Sequence, residues 1–265
     1  MARSESLGSR VRKESRWDMM EPEVIVLPDA AAVAREAARR FAELAQEAVT
    51  ARGRFSAALS GGSTPGTLYR LLAEEPYRTQ IPWTDVHLFW GDERSVPPDG
   101  AGSNYRLAEE ALIAHVPIPT DNVHRIQGEL APEQAARAYD RRLQDFYCGP
   151  RPRFDLVLLG LGSDGHTASL FPGSDALHET EKLAVAVEAI YQDRPAQRVT
   201  LTLPAINTTR QALFLVAGSS KAGIVQAVLE GPAGRLPAQQ VQPTAGQLTW
   251  LLDEAAASLL ARRHG

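Results

Sequence analysis

The chain has 265 residues, a formal net charge of −4, 44% hydrophobic and 23% charged residues, few aromatics and one cysteine. This is enough chain to bury a substantial core, and the acidic balance argues against a general nucleic-acid binder, which would carry a basic excess. No apolar run approaches the ~20 residues that span a bilayer, and Cys148 alone can make neither an internal disulfide nor a zinc site, which points to a reducing compartment.

Residues 1–22 contain several Ser and Arg but no hydrophobic stretch, so they do not read as a secretory signal. Glu5, Glu14 and Asp18 speak against an organellar presequence. The expectation is a disordered N-terminal extension, with Met19 and Met20 as alternative starts, ahead of a single domain over residues 23–265 in the cytoplasm.

Val24 to Leu27 predicts a strand, and Asp29 a cap for a helix that places Val33, Ala37, Phe41, Leu44 and Ala48 on one face. A second strand is expected over Phe55 to Leu59. The turn Ser60-Gly61-Gly62-Ser63-Thr64-Pro65 then opens a helix, with Thr64 as the expected cap and Pro65 at its first position.

Val86 to Trp90 predicts a third strand, followed by a long polar loop that begins Gly91-Asp92-Glu93-Arg94 and ends at Ser103, which caps another helix. Val123 to Ile126 is a candidate short strand. Ala135, Tyr139, Leu143 and Phe146 line a helix that Gly149-Pro150 ends.

Further strands are expected near Leu156 to Leu159, Leu183 to Val187, Arg198 to Leu203, Ala212 to Val216 and Leu248 to Leu252. A loop through Asp193-Arg194-Pro195 separates two of these. Gly218-Ser219-Ser220-Lys221 leads into a helix through Ile224, Val225 and Val228, residues 231–246 read mostly as loop, and a last helix is expected from Asp253 to Arg262. The alternation predicts an α/β fold of the doubly wound type: a mostly parallel sheet with helices on both faces.

Three Gly- or Ser-rich turns follow strands and start helices, the arrangement in which backbone N–H groups and the helix dipole favour an anion. Ser60 to Pro65 lacks the Lys of a P-loop and the spacing of a dinucleotide fingerprint, so no nucleotide cofactor is indicated. Around Gly160, Gly162 and Gly165, an apolar strand gives way to Asp164 and His166. A histidine titrates near neutral pH, and an aspartate two residues away can orient it, which makes His166 a candidate general base. There is no Gly-x-Ser-x-Gly elbow, no cysteine near His166 and no histidine pair at metal-ligand spacing, which disfavours covalent or metal-dependent chemistry.

Ser60 to Pro65, Gly91 to Arg94, Ser103-Asn104-Tyr105, Gly160-Leu161-Gly162-Ser163-Asp164-Gly165-His166-Thr167-Ala168-Ser169-Leu170-Phe171-Pro172, Arg198 to Leu201 and Gly218 to Lys221 together resemble the glucosamine-6-phosphate isomerase/6-phosphogluconolactonase family, in order from about Val24 to Leu260. The lactonase branch is the nearer match. The resemblance implies hydrolysis of 6-phospho-D-glucono-1,5-lactone to 6-phosphogluconate, the second step of the oxidative pentose phosphate pathway, without cofactor or metal. It implies His166 as general base supported by Asp164. It further implies a substrate site of Gly61, Gly62, Ser63, Thr64, Asp92, Arg94, Arg198 and Lys221.

The deaminase branch shares the Asp-Gly-His signature but carries Glu where this chain has Phe171, which favours the lactonase. A sugar-phosphate sensor would need a DNA-binding module, and the residues before the first strand are too few for one. The expected partner is a small phosphorylated lactone, with no nucleic acid, no membrane and a monomeric state.

Overall fold

The computed structural model describes residues 22–149, 152–191 and 195–261. Residues 1–21 of the extension expected over 1–22, together with Pro150, Asp193, Arg194 and Arg262, lie outside these. In chain order the elements are β1 (Glu23–Leu27), α1 (Ala30–Arg52), β2 (Phe55–Leu59), α2 (Ser63–Leu72), α3 (Tyr77–Gln80), β3 (Val86–Trp90), β4 (Asp92–Arg94) and α4 (Asn104–Ala111). They continue as α5 (Pro132–Tyr147), β5 (Leu156–Leu159), β6 (Ala184–Glu188), β7 (Gln197–Leu201), α6 (Leu203–Asn207), β8 (Gln211–Val216), α7 (Ala222–Leu229) and β9 (Gln247–Asp253).

Local chemistry accounts for the best-formed helix. Asp29 accepts the Ala32 amide at 2.7 Å and caps α1, and Gly53 in the left-handed region ends it. Between the caps, Val33, Ala37, Phe41, Ala45 and Ala48 are buried. The small alanines let the helix lie close to the sheet.

β1, β9, β8, β5, β2 and β3 form, in that spatial order, a six-stranded sheet whose pairs are all parallel. β2, β5 and β8 are buried along their length, as expected of strands covered on both faces. The chain steps from β2 outward to β3, then returns to place β5 on the other side of β2. Within this sheet β2 leads to β3 on one side and β5 leads to β8 on the other, so the loops after β2 and β5 diverge. A crevice at the carboxyl ends of two such strands is where ligands bind in open α/β sheets.

Several local expectations give way to tertiary context. Asp92 to Arg94, read as loop, is β4, which joins β7 and β6 in a separate three-stranded antiparallel sheet. The strands predicted near 183–187 and 198–203 thus lie outside the parallel sheet. Val123 makes only an isolated bridge to Leu88, because residues 120–122 before it close a 3-10 turn and so add no strand pairing to β3. Beyond Asp253, the Glu254 amide still bonds Leu27 in strand fashion, and the Asp253 carboxylate accepts both the Ala256 and Gly218 amides. Those bonds turn the chain where a helix was expected.

Candidate active site

The loop after β2 supplies one wall of the crevice. Gly62, at φ 110, and not Thr64, is the N-cap of α2, so the helix starts at Ser63 with no side chain capping its first amides. Pro65 falls at the third helical position. An uncapped first turn at a strand end leaves N–H groups for an anion. Tyr69 fixes this turn: its hydroxyl donates to the Ser60 carbonyl at 2.6 Å and accepts the Ser60 amide at 3.0 Å.

β4 supplies the second wall through its alternation. Glu93 points to α4, where it accepts from the Arg94, Asn104 and Tyr105 amides and the Ser103 hydroxyl at 2.7–3.0 Å. Burial raises the Glu93 carboxyl above its ordinary value, and those donors offset only part of the rise. Asp92 and Arg94 line the crevice instead. Asp92 Oδ1 accepts from Asn104 Nδ2 at 3.1 Å and Oδ2 from Ser169 Oγ at 2.6 Å.

Arg94 and Arg198 are direct partners across the β4 and β7 pairing, and both are buried. Arg94 donates through Nη1 to the Gly102 carbonyl, while its Nε is buried without a partner among the described residues. Arg198 Nε donates to Pro195 at 3.1 Å, and its guanidinium lies 5.2 Å from the Phe171 ring centroid. Two like charges placed opposite each other in a buried ladder repel.

The loop after β5 carries the candidate histidine–aspartate pair. Gly162 is required by close approach: a Cβ there would collide with the His166 ring and the Asp164 carboxylate. His166 Nδ1 is 2.6 Å from Asp164 Oδ1. An ionised carboxylate only accepts, so Nδ1 carries the proton and Nε2 keeps its lone pair. Burial lowers the His166 pKa from its usual value, opposed by the bond to Asp164 and by the charges of Asp164 and Asp92. The imidazole is therefore neutral near pH 7, the form a base needs.

Lys221, just before α7, donates from Nζ to the Leu161 carbonyl at 2.7 Å and keeps two further donor positions. Ser60 to Pro65, Asp92, Arg94, His166, Arg198 and Lys221 border one cavity of about 230 Å³. That is smaller than the roughly 300–1,000 Å³ of drug-sized pockets. The room suits one small polar ligand. Of the ten candidate site residues only Asp164 is absent from the lining; it stands behind His166.

Asn104, Ser169 and Tyr191 were given no role by the sequence reading. Asn104 and Tyr191 line the cavity, and Ser169 holds Asp92. Asn104 follows a recognisable helix cap, Ser103, whose hydroxyl accepts the Arg106 amide at 3.1 Å. Its reach to Asp92 and its seat against Gly61 depend on three segments meeting.

Fold and site together define a doubly wound α/β protein whose switch-point crevice sets a histidine–aspartate pair among cationic side chains. Residues 28–250 match the family model described as glucosamine-6-phosphate isomerases/6-phosphogluconolactonase. The chain belongs to that family.

A 6-phosphogluconolactonase of Synechocystis sp. is 43% identical over 216 residues, covering 79% of this chain and 86% of the relative. One from Rattus norvegicus is 44% identical over 215 residues, covering 79% and 82%. Among solved structures, 6-phosphogluconolactonase from Trypanosoma cruzi superposes with a TM-score of 0.82 at 31% identity, covering 91% of this chain and 98% of that one. A monomeric glucosamine-6-phosphate deaminase superposes with a TM-score of 0.77 at 22% identity, a likeness of fold.

Proposed function

We propose that the protein hydrolyses 6-phospho-D-glucono-1,5-lactone to 6-phospho-D-gluconate, with His166 as the general base. The observation that carries this reading is the Asp164–His166 pair, whose lone-pair nitrogen belongs to a ring lining a cavity that also holds Arg94, Arg198 and Lys221.

In this reading water attacks the lactone carbonyl carbon while His166 Nε2 takes its proton, and the carbonyl oxygen becomes an oxyanion. Collapse breaks the bond to the ring oxygen, which recovers the proton from the imidazolium, and the new carboxylic acid ionises. Asp164 stabilises the imidazolium between the two steps without itself moving a proton. The cationic side chains and the first turn of α2 offer binding to the phosphate and charge stabilisation to the oxyanion.

Phe171 supports ester hydrolysis over deamination. It packs tilted against the imidazole with centroids 4.2 Å apart and is buried, so no carboxyl group stands at that position to relay protons in sugar-ring opening.

The test is release of acid from freshly generated 6-phosphogluconolactone, corrected for spontaneous hydrolysis, beside an assay on glucosamine 6-phosphate. Hydrolysis of the lactone alone is expected. Ammonia release from the amino sugar would overturn the assignment.

A further inference from the structure

We propose that Tyr191 is a positioning residue for His166, its ring standing as the second wall of an aromatic corner that aims the imidazole at the cavity. This inference rests on the proposed role of His166 as the base. The His166 centroid lies 4.2 Å from that of Phe171 and 4.6 Å from that of Tyr191, while Phe171 and Tyr191 are 5.9 Å apart. Those three distances make a near right angle at His166. Phe171 lies tilted over the imidazole at 32° between planes, and Tyr191 stands across it at 80°.

The corner does what the carboxylate cannot. A single bond from Nδ1 to Asp164 leaves the imidazole free to rock about that contact, and rocking carries Nε2 off line. Two rings whose centroids lie in nearly perpendicular directions from the imidazole block the motion on two sides. The tyrosine is also tied to the loop it supports: its hydroxyl accepts the Ser163 amide at 3.3 Å and shares a hydrogen bond with Ser163 Oγ at 3.0 Å. Tyr191 arrives from the segment after β6, and His166 from the loop after β5, so the support crosses between segments. Only 12% of the His166 side chain remains exposed.

The same wall keeps water from the imidazole. The charged groups that face it are Asp164 on its own loop, Asp92 on β4 and Arg198 on β7, with Arg94 and Lys221 bordering the same cavity. Replacing the ring by a smaller side chain admits water, which favours the protonated imidazole and raises its affinity for protons.

The experiment compares Tyr191→Leu and Tyr191→Phe in the full chain, by lactonase pH profiles and by NMR titration of the His166 ring without substrate. In Tyr191→Leu, kcat is expected to fall on the order of 10-fold with KM within about 2-fold, the scale of a small misalignment. The acidic limb of its kcat/KM profile and the His166 titration both move to higher pH. Tyr191→Phe keeps the ring, and its limb and titration stay with the wild type.

A Leu variant that loses activity with limb and titration unmoved would reduce Tyr191 to packing and overturn the proposal. So would a Phe variant that shifts as far as the Leu variant, since the hydroxyl and not the ring would then be responsible. If the wild type shows no lactonase activity the assignment of function fails, while the titration still decides whether the ring governs His166.

Discussion

Both ends of the parallel sheet bury carboxylates beside guanidinium groups, yet the cavity bordered by a histidine lies at the carboxyl end. At the amino ends of β2, β5 and β8, Asp155 accepts from the Ser56 amide and hydroxyl at 2.9 Å and from Arg52 at 2.8 Å, with Arg210 at 3.3 Å. Its acceptor capacity is spent within the protein. At the carboxyl ends, Asp92 is held in the same manner by Asn104 and Ser169, but Arg94 and Arg198 face each other beside a cavity and His166 has one nitrogen to spare. A carboxylate whose acceptors are filled from within stabilises the fold, whereas the donor positions left at Arg94 Nε and Lys221 Nζ are available to a ligand.

The sharpest break of that contrast is at the site. His166→Ala should lower turnover by about 10²–10⁴-fold, the scale of a general base, with KM nearly unchanged and no loss in melting temperature. Near-normal turnover after correction for spontaneous hydrolysis would remove His166 from the mechanism. Next comes Arg94→Ala, expected to raise KM for the phosphorylated lactone by roughly 10–100-fold, the worth of about 1.5–3 kcal/mol for a charged hydrogen bond. An unphosphorylated lactone should be affected far less; equal effects on both would show that Arg94 does not read the phosphate.

Asp155→Ala probes the other end. It should cost about 1–3 kcal/mol in urea unfolding, because it strips partners from Ser56 and from two guanidinium groups that are themselves partly solvated. Turnover of the folded fraction should match wild type. A variant with unchanged stability and impaired catalysis would erase the distinction between the two ends.

The smallest effect concerns a third cluster, outside both ends. His124 is buried against Phe89 and Phe146, accepts at Nδ1 from Arg142 at 2.7–3.0 Å and meets His87 Nδ1 at 3.2 Å. Burial, then the neighbouring charges of Arg142 and His87, push its pKa down to about 3. Its unfolded value is about 6.5, so the unfolded chain binds more protons between the two values. The stability tied to keeping it neutral is complete above pH ~6.5 and is lost as pH falls toward 3, at about 1 kcal/mol per pH unit. His124→Gln should flatten that slope in urea titrations at pH 6.5 and 4.5; an unchanged slope would place the proton uptake elsewhere.

The elements that could be read from the chain are those whose signals are local. The helix from Asp29, the strand from Leu156 into Gly160 and the cap at Ser103 need only neighbours in sequence. β4 could not be read because three polar residues carry no strand periodicity; only the antiparallel partner β7 makes them a strand. The reading of Thr64 as a cap failed for a related reason. Gly62 takes a backbone conformation that leaves the threonine beside the cavity, not beneath the helix.

By itself the sequence determined the alternation of strands and helices, the glycine-rich turns at strand ends and the chemically capable residues, because periodicity, caps and glycine act over a few neighbours. Tertiary structure decided which of those residues meet. It opposed Arg94 to Arg198, clasped Asp92 between Asn104 and Ser169, and set His166 into the corner of Phe171 and Tyr191. Such contacts join segments far apart in the chain, where strand order and burial alone fix which side chains meet.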